Sequence, residues 1–386
     1  MNAITNQLTE KLISIRRHLH QYPELSYEEF KTTKFIKNLL QEANITIKDT
    51  NLKTGVIAEV SGNRGGPTIA LRADIDALPI QEETDLPYAS KSSNKMHACG
   101  HDFHTASILG AADLLKEKES SLRGTVRFIF QAAEESGNGA CKVIEAGHLQ
   151  NVQAIFGMHN KPDLPVGTIG IKEGPLMAGV DRFQITIKGV GTHAAVPDAG
   201  VDPIVASSQI VMALQTIVSR NISSFHNAVV SVTNIHSGNT WNVIPEKATL
   251  EGTVRTFQAD TRQKIPQRME RIVKGIADAL GVEVELHWYP GPPPAVQNDG
   301  YLTELSTHVA QTMGLQVISP KPSMAGEDFS FYQQEIPGSF VFMGTNGTHE
   351  WHHPSFTLDE KALPISAQYF ALLAEEALDK LIMKRR

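Results

Sequence analysis

The sequence contains one short stretch that is dense in metal-binding side chains, His97-Ala98-Cys99-Gly100-His101-Asp102-Phe103-His104. Cys99 and His101 are two positions apart, and in an extended loop their side chains can converge on one ion. Thiolate and imidazole groups are good ligands for zinc and similar metals. The alternative interpretation is a loop with a buried cysteine and solvated histidines. The spacing indicates a metal site, and the indication becomes strong only in combination with a second cluster.

A pair of adjacent carboxylates, Glu134 and Glu135, provides that second cluster. Adjacent side chains point in different directions, so one carboxylate can bind a metal while the other takes a proton from a water molecule. A metal ion lowers the pKa of its water from 15.7 to about 7, which makes a carboxylate an adequate base. Two surface glutamates are the alternative. The flanking segments, 131–133 and 136–139, favour a loop held close to a sheet edge.

Further ligand-type side chains follow predicted strands at the point where each strand ends. They are Asp74 and Asp76 after strand 68–72, the glutamate pair after strand 125–130, His159 after strand 154–158, and His349, His352 and His353 after strand 339–343. Ligands of open α/β sheets bind beyond the carboxyl ends of the strands. We therefore expect one site at this edge. Asp76 is interpreted as a carboxylate that orients a metal-binding imidazole, and Asp74 has either the same role or a structural one.

The elements that must position these side chains alternate between strand and helix. Two helices are predicted within residues 5–42, and Ser26 with Glu29 predicts a capping box at the start of the second. The alternation that follows predicts an α/β fold, with a mixed sheet flanked by helices on both faces.

The pattern changes between residues 180 and 291, where the order β-α-β-β-α-β is typical of a ferredoxin-like α+β domain. A proline-rich segment, residues 289–294, predicts a stiff linker after it. We therefore predict a discontinuous catalytic metal-binding domain, residues 1–179 and 292–386. Residues 180–291 would form an inserted lid and dimerisation domain, whose exposed sheet edge could pair with a second copy of the chain.

Composition excludes several classes of protein. The 386 residues carry a net charge of −7, so no basic excess exists to attract nucleic acid. No uncharged apolar run approaches the roughly 18 residues that cross a bilayer. The segment Met1–Gln7 is polar and does not predict a secretory signal. Two cysteines do not make a disulfide framework, and they fit a reducing cytoplasm.

Several motifs in the same order resemble one known family. They are Asp74-Ile75-Asp76-Ala77-Leu78-Pro79, His97 to Asp102, Glu134-Glu135, Gly157-Met158-His159, His352-His353-Pro354, Arg17-His18-Leu19-His20 and Gly326-Glu327-Asp328-Phe329. The family is the aminoacylase/carboxypeptidase clan of co-catalytic metallopeptidases. The most similar branch contains the amidohydrolases of N-acetyl amino acids, hippurate and indole-acetyl amino acids. The resemblance extends over essentially the whole chain.

The resemblance implies two divalent metal ions, which could be zinc, manganese, cobalt or nickel. The implied ligands are Cys99, His101, Glu135, His159 and, from a His-x-Pro pattern, His352. It also implies that Glu134 is the general base and the later proton donor to the departing amine. The implied substrate is a small N-acyl amino acid whose amide bond is hydrolysed.

The resemblance further implies roles for four residues at or beyond the inserted segment. His193 would stabilise the tetrahedral oxyanion, often across a dimer. Asn242 and Arg255 would hold the substrate carboxylate, although a structural salt bridge is an equal interpretation for Arg255. Gly326 would help to shape the pocket floor.

Three competing functions are open at this point. A cysteine hydrolase would use Cys99 as nucleophile and His101 as base, but would leave Glu134, Glu135 and His159 without a role. A non-enzymatic binding protein on the same scaffold should have lost ligands, whereas every expected ligand type is present. A dipeptidase or aminopeptidase of the same clan is the alternative within the enzymes. The acyl group and the amino acid cannot be assigned from these residues.

Overall fold

The computed structural model describes residues 6–292 and 296–384. Two interpretations of the sequence fall partly outside them: the polar start, at residues 1–5, and the predicted linker, at Pro293 and Pro294. The chain divides into two compact units. The first extends to Leu176 and resumes with Gln297–Lys321 and from Phe331 onwards, and the second comprises Met177–Val296 and Pro322–Ser330. The boundaries predicted for independent domains remain a prediction.

The first unit begins with alternating helices and strands. In chain order these are α1 (Asn6–Gln21), α2 (Phe30–Glu42), β1 (Thr46–Ile47), β2 (Val56–Ser61), β3 (Thr68–Asp74), α3 (His101–Glu117), β4 (Thr125–Gln131), α4 (Gly139–Glu145), β5 (Val152–Lys161), β6 (Thr168–Gly170) and β7 (Gly174–Pro175). Strands β3 and β5 are buried along nearly their whole length, as expected for strands covered on both faces.

The second unit contains a four-stranded antiparallel sheet and two long helices. Its elements are β8 (Gly179–Lys188), β9 (Thr192–His193), α5 (Pro203–Thr216), β10 (Ala228–Ser237), β11 (Val243–Ile244), β12 (Lys247–Thr256), α6 (Ala259–Leu280) and β13 (Glu283–Pro290). The sheet order β10-β12-β8-β13 is that of a ferredoxin-like fold. In β12 the side chains alternate between buried and half-exposed, because one face packs against the helices.

The chain then returns to the large sheet. The remaining elements are β14 (Gln297–Asn298), α7 (Gly300–Thr312), β15 (Gln316–Ile318), α8 (Phe329–Glu335), β16 (Gly338–Gly344) and α9 (Ala362–Lys384). The large sheet has the order β1-β2-β4-β3-β5-β16-β6-β15 and contains parallel and antiparallel pairs. The predicted fold class, a mixed α/β sheet with an inserted ferredoxin-like unit, is confirmed.

The predicted capping box at α2 is wrong. The Glu29 side chain makes no cap hydrogen bond to α2, and its carboxylate instead accepts hydrogen bonds from Thr54 Oγ1 and the backbone N–H of Ala133. Ser26 Oγ donates to Asp76 Oδ2 at 2.6 Å. Both side chains are used in long-range contacts, which local spacing cannot reveal.

Two local boundaries also differ from expectation. His101 begins helix α3 rather than lying in the loop before it, and His159 lies inside β5, which continues to Lys161.

Among the residues that the structure describes, no helix combines the length and apolarity needed to cross a membrane.

Candidate metal centre

The candidate site lies at the carboxyl ends of four neighbouring strands. Strand β3 is parallel to both β4 and β5, and β5 is parallel to β16. Because parallel strands end at the same edge, the segments that follow them meet there. The structure thus brings together the five predicted metal ligands and the glutamate predicted as base, all within the first unit.

The Cys99–His101 segment is fixed by a glycine in the left-handed conformation. Gly100 has φ +82° and is the N-cap of α3, so the chain turns sharply between Cys99 and His101. An added Cβ at Gly100 would lie 2.4 Å from Nδ2 of Asn160. That amide donates a 2.6 Å hydrogen bond to the carbonyl oxygen of Cys99. The glycine is therefore required by conformation and by space.

Imidazole His159 presents one ring nitrogen to this segment. Its Nδ1 donates to the carbonyl oxygen of Asn160 at 2.8 Å, so in the neutral ring Nε2 is unprotonated and carries the lone pair. Nε2 lies 3.3 Å from Sγ of Cys99. Burial, with a smaller contribution from His104, holds the pKa of His159 well below its usual range. A neutral imidazole whose Nε2 lone pair faces Cys99 is the form that binds a metal.

The Glu134–Glu135 loop is held by two buried carboxylates. Asp76 Oδ1 and Oδ2 accept hydrogen bonds from the backbone N–H groups of Glu134 and Glu135, at 3.1 and 3.0 Å. Ala133, just before them, has φ +58°, a conformation that is unusual for a residue with a side chain. Its N–H donates to Oε1 of Glu29 at 2.8 Å. Asp76 and Glu29 together fix the direction in which the two glutamates leave the sheet.

Negative charge surrounds His101. Its Nδ1 lies 3.4 Å from Asp76 Oδ1, and its Nε2 lies 3.7 Å from Asp74 Oδ2 and 3.9 Å from Glu135 Oε1. Burial lowers the pKa of His101, but these carboxylates outweigh it and raise the pKa to about 10. The position therefore favours a positive charge. The same carboxylates would stabilise a divalent cation bound at this position.

Two buried atoms at the centre are available to bind a metal. Within the described residues, Nε2 of His101 and Oε1 of Glu135 are buried and have no hydrogen-bond partner. A buried polar atom without a partner costs about 1–3 kcal/mol, so native structures rarely keep one without reason. Two ligand groups share Cys99: with His101 and His159, and with Glu135 and His352. The ligand atoms within each group lie within 4.8 Å of one another. These residues fit a pair of metal ions.

The last histidines occupy different environments. His352 has φ +65°, donates its backbone N–H to Ala98 O at 2.9 Å, and places Nε2 3.5 Å from Glu135 Oε1. His353 instead accepts a hydrogen bond at Nδ1 from the backbone N–H of Ser355, and its ring stacks on His349. The geometry supports His352 as the ligand, although its side chain is 53% exposed.

The environment of Cys99 argues against a nucleophilic thiolate. Burial, together with Glu135 and Glu134, raises the pKa of the thiol well above its usual value. A catalytic cysteine needs the opposite shift. His101, the base in that hypothesis, is held in the protonated form by its carboxylate neighbours. A metal ion would change both groups, because it binds thiolate and neutral imidazole.

The structure adds three residues that sequence reasoning missed. Asn160 contacts the Cys99 and His104 segments through its amide. Trp351 donates from Nε1 to Asn160 O at 3.1 Å, and its ring packs on His159 with centroids 4.3 Å apart. Glu29 holds the Glu134–Glu135 loop by accepting a hydrogen bond from the N–H of Ala133. The only sequence signal for Asn160 and Trp351 is that each adjoins a predicted ligand.

Asp74 is fully buried and bridges two side chains. Oδ2 accepts a hydrogen bond from Arg72 Nη1 at 2.7 Å, and Oδ1 accepts one from Nδ1 of His104 at 2.6 Å. Nε2 of His104 in turn accepts the backbone N–H of Asn160. Despite burial, His101, His104 and Arg72 hold the pKa of Asp74 well below its usual value.

The other predicted site residues lie in the second unit. His193 is exposed and pairs with Val243 between β9 and β11, and the N–H of Ala194 donates to Asn242 O. Arg255 on β12 donates from Nε to Met324 O at 3.1 Å, and no salt bridge to it exists among the described residues. An added Cβ at Gly326 would lie 2.5 Å from Val180 Cγ2. His193 and Asn242 are thus neighbours, while Arg255 and Gly326 lie on other segments.

Comparison with known proteins identifies the family. The profile of Peptidase family M20/M25/M40 matches residues 70–376. N-acetylcysteine deacetylase from Bacillus subtilis (strain 168) is 59% identical over 370 residues, which cover 96% of this chain and 97% of the relative. An IAA-amino acid hydrolase (ILR1-like 4) from Arabidopsis thaliana is 40% identical and covers 97% of this chain and 88% of its own.

A solved structure agrees in fold. A Bacillus subtilis protein described as a dinuclear metal binding peptidase from the M20 family superimposes with a TM-score of 0.89 at 55% identity, covering 97% of this chain and 99% of its own. The chain belongs to peptidase family M20/M25/M40. The family predicted from the sequence motifs, and the predicted class of metal-dependent amide hydrolase, are confirmed.

Proposed function

We propose that the protein hydrolyses the amide bond of small N-acyl amino acids, with N-acetylcysteine as the first candidate substrate. The observation that carries the proposal is the pair of ligand groups that share Cys99, one with His101 and His159 and the other with Glu135 and His352. Within the described residues, His101 Nε2 and Glu135 Oε1 are buried and have no hydrogen-bond partner. The choice of substrate is supported by relatives at 59% and 56% identity that carry the name N-acetylcysteine deacetylase.

Five residues would hold two divalent ions in this proposal. They are Cys99, His101, Glu135, His159 and His352, and Cys99 would be shared because it belongs to both ligand groups. When bound, such ions polarise a carbonyl group and lower the pKa of water to about 7. Zinc, manganese, cobalt and nickel all suit a set of thiolate, imidazole and carboxylate ligands.

Glu134 would move the proton in the reaction. Its carboxylate takes a proton from the water whose oxygen adds to the acyl carbon, and then gives that proton to the amine nitrogen as the C–N bond breaks. The products are a carboxylic acid and a free amino acid. Support comes from the backbone, because Asp76 holds the N–H groups of Glu134 and Glu135 and so fixes the two carboxylates relative to each other. Asp76 would also orient the His101 ring.

Substrate recognition would involve the second unit. We assign the oxyanion contact to His193 and the substrate carboxylate to Asn242 and Arg255, with Gly326 shaping the floor. His193 and Asn242 are supported by their adjacency across the β9–β11 pair. For Arg255 the support is a guanidinium that, within the described chain, binds backbone oxygens and the Thr253 hydroxyl rather than a carboxylate.

We propose a homodimer or a higher oligomer formed through the inserted unit, and a cytoplasmic location. The support for assembly is the outer edge of β10, which pairs with no further strand of the described residues, together with exposed Ile235 on that strand. Support for a reducing compartment comes from Cys99, which is free and must stay a thiol to bind a metal.

The proposal is tested by metal removal and a substrate panel. Protein stripped with a chelator should lose activity and regain it with one or more of Zn²⁺, Mn²⁺, Co²⁺ and Ni²⁺. The restored enzyme is then assayed on N-acetylcysteine, other N-acetyl amino acids, N-benzoylglycine and unblocked dipeptides. Preference for the N-acyl compounds supports the proposal. Equal activity after exhaustive chelation would contradict it, and preference for unblocked dipeptides would favour the dipeptidase alternative.

A further inference from the structure

A cavity of about 480 Å³ lies in the first unit, beside the base of the Glu134–Glu135 loop. Its wall contains none of the five proposed metal ligands. The lining residues are Tyr27, Asn51, Leu52, Lys53, Thr54, Ala132, Gly139, Lys142, Val143, Glu145 and Ala146. The volume lies within the usual range of about 300–1,000 Å³ for small-molecule sites.

The wall combines an apolar body with a cationic rim. Leu52, Val143 and the Tyr27 ring contribute apolar surface. On the rim, Lys142 is already paired with Glu145 at 2.8 Å. The Lys53 ammonium lies over the Phe30 ring, 5.2 Å from its centroid, and no carboxylate of the described residues lies within 4 Å of it. An occupant with one negative charge and an apolar body would match this wall.

The cavity also contacts both ends of the catalytic loop. Ala132 and Gly139 line it, and the loop between them carries Glu134 and Glu135. These two ends are in close contact, because an added Cβ at Gly139 would lie 1.9 Å from Ala132 O. Thr54, another lining residue, donates to Glu29, whose carboxylate accepts the N–H of Ala133.

A second route to the metal centre passes through Tyr27. This residue has φ +65°, which is a rare conformation for a bulky side chain. Its neighbour Ser26 donates a hydrogen bond to Asp76, which holds the Glu134–Glu135 backbone. Strained residues persist only where the surroundings fix them, and they concentrate at functional sites. Tyr27 lines this cavity, and Ala133, which has φ +58°, directly follows the lining residue Ala132.

We propose that this cavity is an effector site for a small carboxylic acid with an apolar chain. The carboxylate pairs with Lys53, the chain packs against Leu52 and Val143, and occupancy changes the position of the Glu134–Glu135 loop. The effect on catalysis rests on the proposed function, whereas binding at Lys53 does not.

The test uses octanoate as the probe, with 1-octanol and octylamine as controls of equal chain length. Titration calorimetry on the metal-loaded protein should show octanoate binding at least tenfold more tightly than either control. The charge reversal Lys53→Glu should lower the affinity for octanoate at least tenfold and should raise the affinity for octylamine. Lys31→Glu makes the same charge change at an exposed position outside the cavity lining. It should change the affinity for neither ligand by more than twofold.

A second variant tests the location by shape. Ala146→Trp fills the cavity and should abolish octanoate binding while the protein remains folded by circular dichroism. Octanoate binding that is unchanged in both Lys53→Glu and Ala146→Trp would overturn the proposal, as would the absence of binding to the unaltered protein at 10 mM. Amide hydrolysis is then assayed with and without octanoate. Binding without any change in kcat or KM would overturn the coupling, and a protein without hydrolase activity would overturn the proposed function alone.

Discussion

The side-chain amide of Asn160 donates a 2.6 Å hydrogen bond to the carbonyl oxygen of Cys99. The carbonyl oxygen of Asn160 accepts a hydrogen bond from Trp351 Nε1, and Asn160 directly follows His159 in β5. Three segments that carry proposed metal ligands are therefore fastened at one residue. Outer contacts of this kind set the orientation of metal ligands.

Asn160→Asp replaces that amide donor with a carboxylate oxygen that faces the Cys99 carbonyl. We expect metal affinity to fall roughly 10- to 100-fold, measured by competition with a chromogenic chelator. The thiolate absorption of the cobalt-substituted enzyme should shift as well. Asn298→Asp is the matched control, because the buried Asn298 amide also donates to backbone carbonyls, those of Lys172 and Phe340. Equal losses of metal affinity in the two variants would contradict a positioning role for Asn160.

Glu134→Gln keeps the size of the side chain and removes its proton-transfer capacity. We expect two bound ions per chain as before, KM changed little, and kcat reduced by at least about 100-fold, the usual contribution of general acid–base catalysis. Metal content is measured by mass spectrometry and kcat with the preferred N-acyl substrate. Activity within tenfold of the parent would remove Glu134 from the mechanism.

Gly100→Ala tests whether the turn before α3 depends on space as well as on conformation. A left-handed alanine costs about 1–2 kcal/mol, and the added Cβ also meets the Asn160 amide. Gly314→Ala has only the first penalty, because Gly314 has φ +76° and open space around it. We expect Gly314→Ala to lower the free energy of unfolding without changing metal affinity. Gly100→Ala should lower both the free energy of unfolding and the metal affinity. Full metal affinity in Gly100→Ala would show that the Asn160 side chain can move aside without disturbing the metal ligands.

His352→Ala and His353→Ala separate the two adjacent histidines. Since Nε2 of His352 lies 3.5 Å from Glu135, its loss should weaken the binding of one of the two ions. His353→Ala should leave both ions bound, because that ring contacts Ser355 and His349 instead. Metal content after dialysis against a weak chelator distinguishes them. The reverse pattern would assign the ligand to His353.

Glu29→Gln addresses the buried carboxylate that holds the Glu134–Glu135 loop through the N–H of Ala133. Burial raises the pKa of Glu29 above its ordinary value of 4.5, despite hydrogen bonds that favour the anion. A carboxyl group with a raised pKa stabilises the fold most fully below its unfolded pKa and loses that contribution as pH rises through the folded pKa. The free energy of unfolding of the parent, relative to Glu29→Gln, should therefore fall as pH rises above about 4.5. Denaturant titrations from pH 4 to 8 measure it, with exposed Glu10→Gln as a control that should stay flat.

The sequence predicted the layers of the fold and the residue types of the site for a physical reason. Buried strands and amphipathic helices have a local periodicity, and ligand-type residues after strand ends must share one edge. The roles of Glu29 and Ser26 could not be predicted in this way. Their spacing fits a helix cap, but their partners, Ala133 and Asp76, lie far away in the chain. Asn160 escaped for the same reason, since its contacts with Cys99 and Trp351 exist only after the strands have assembled.

Strand β16 (Gly338–Gly344) lies between β5 and β6, although about 180 residues separate it from β5 along the chain. A growing chain on the ribosome therefore carries Cys99, His101, Glu135 and His159 long before the segment that brings His352 can join them. Pairings over such a distance form late. A nascent chain can therefore offer an incoming ion only four of the five proposed ligands until translation has passed residue 352, and the proposed pair of ions can be held completely only after that point.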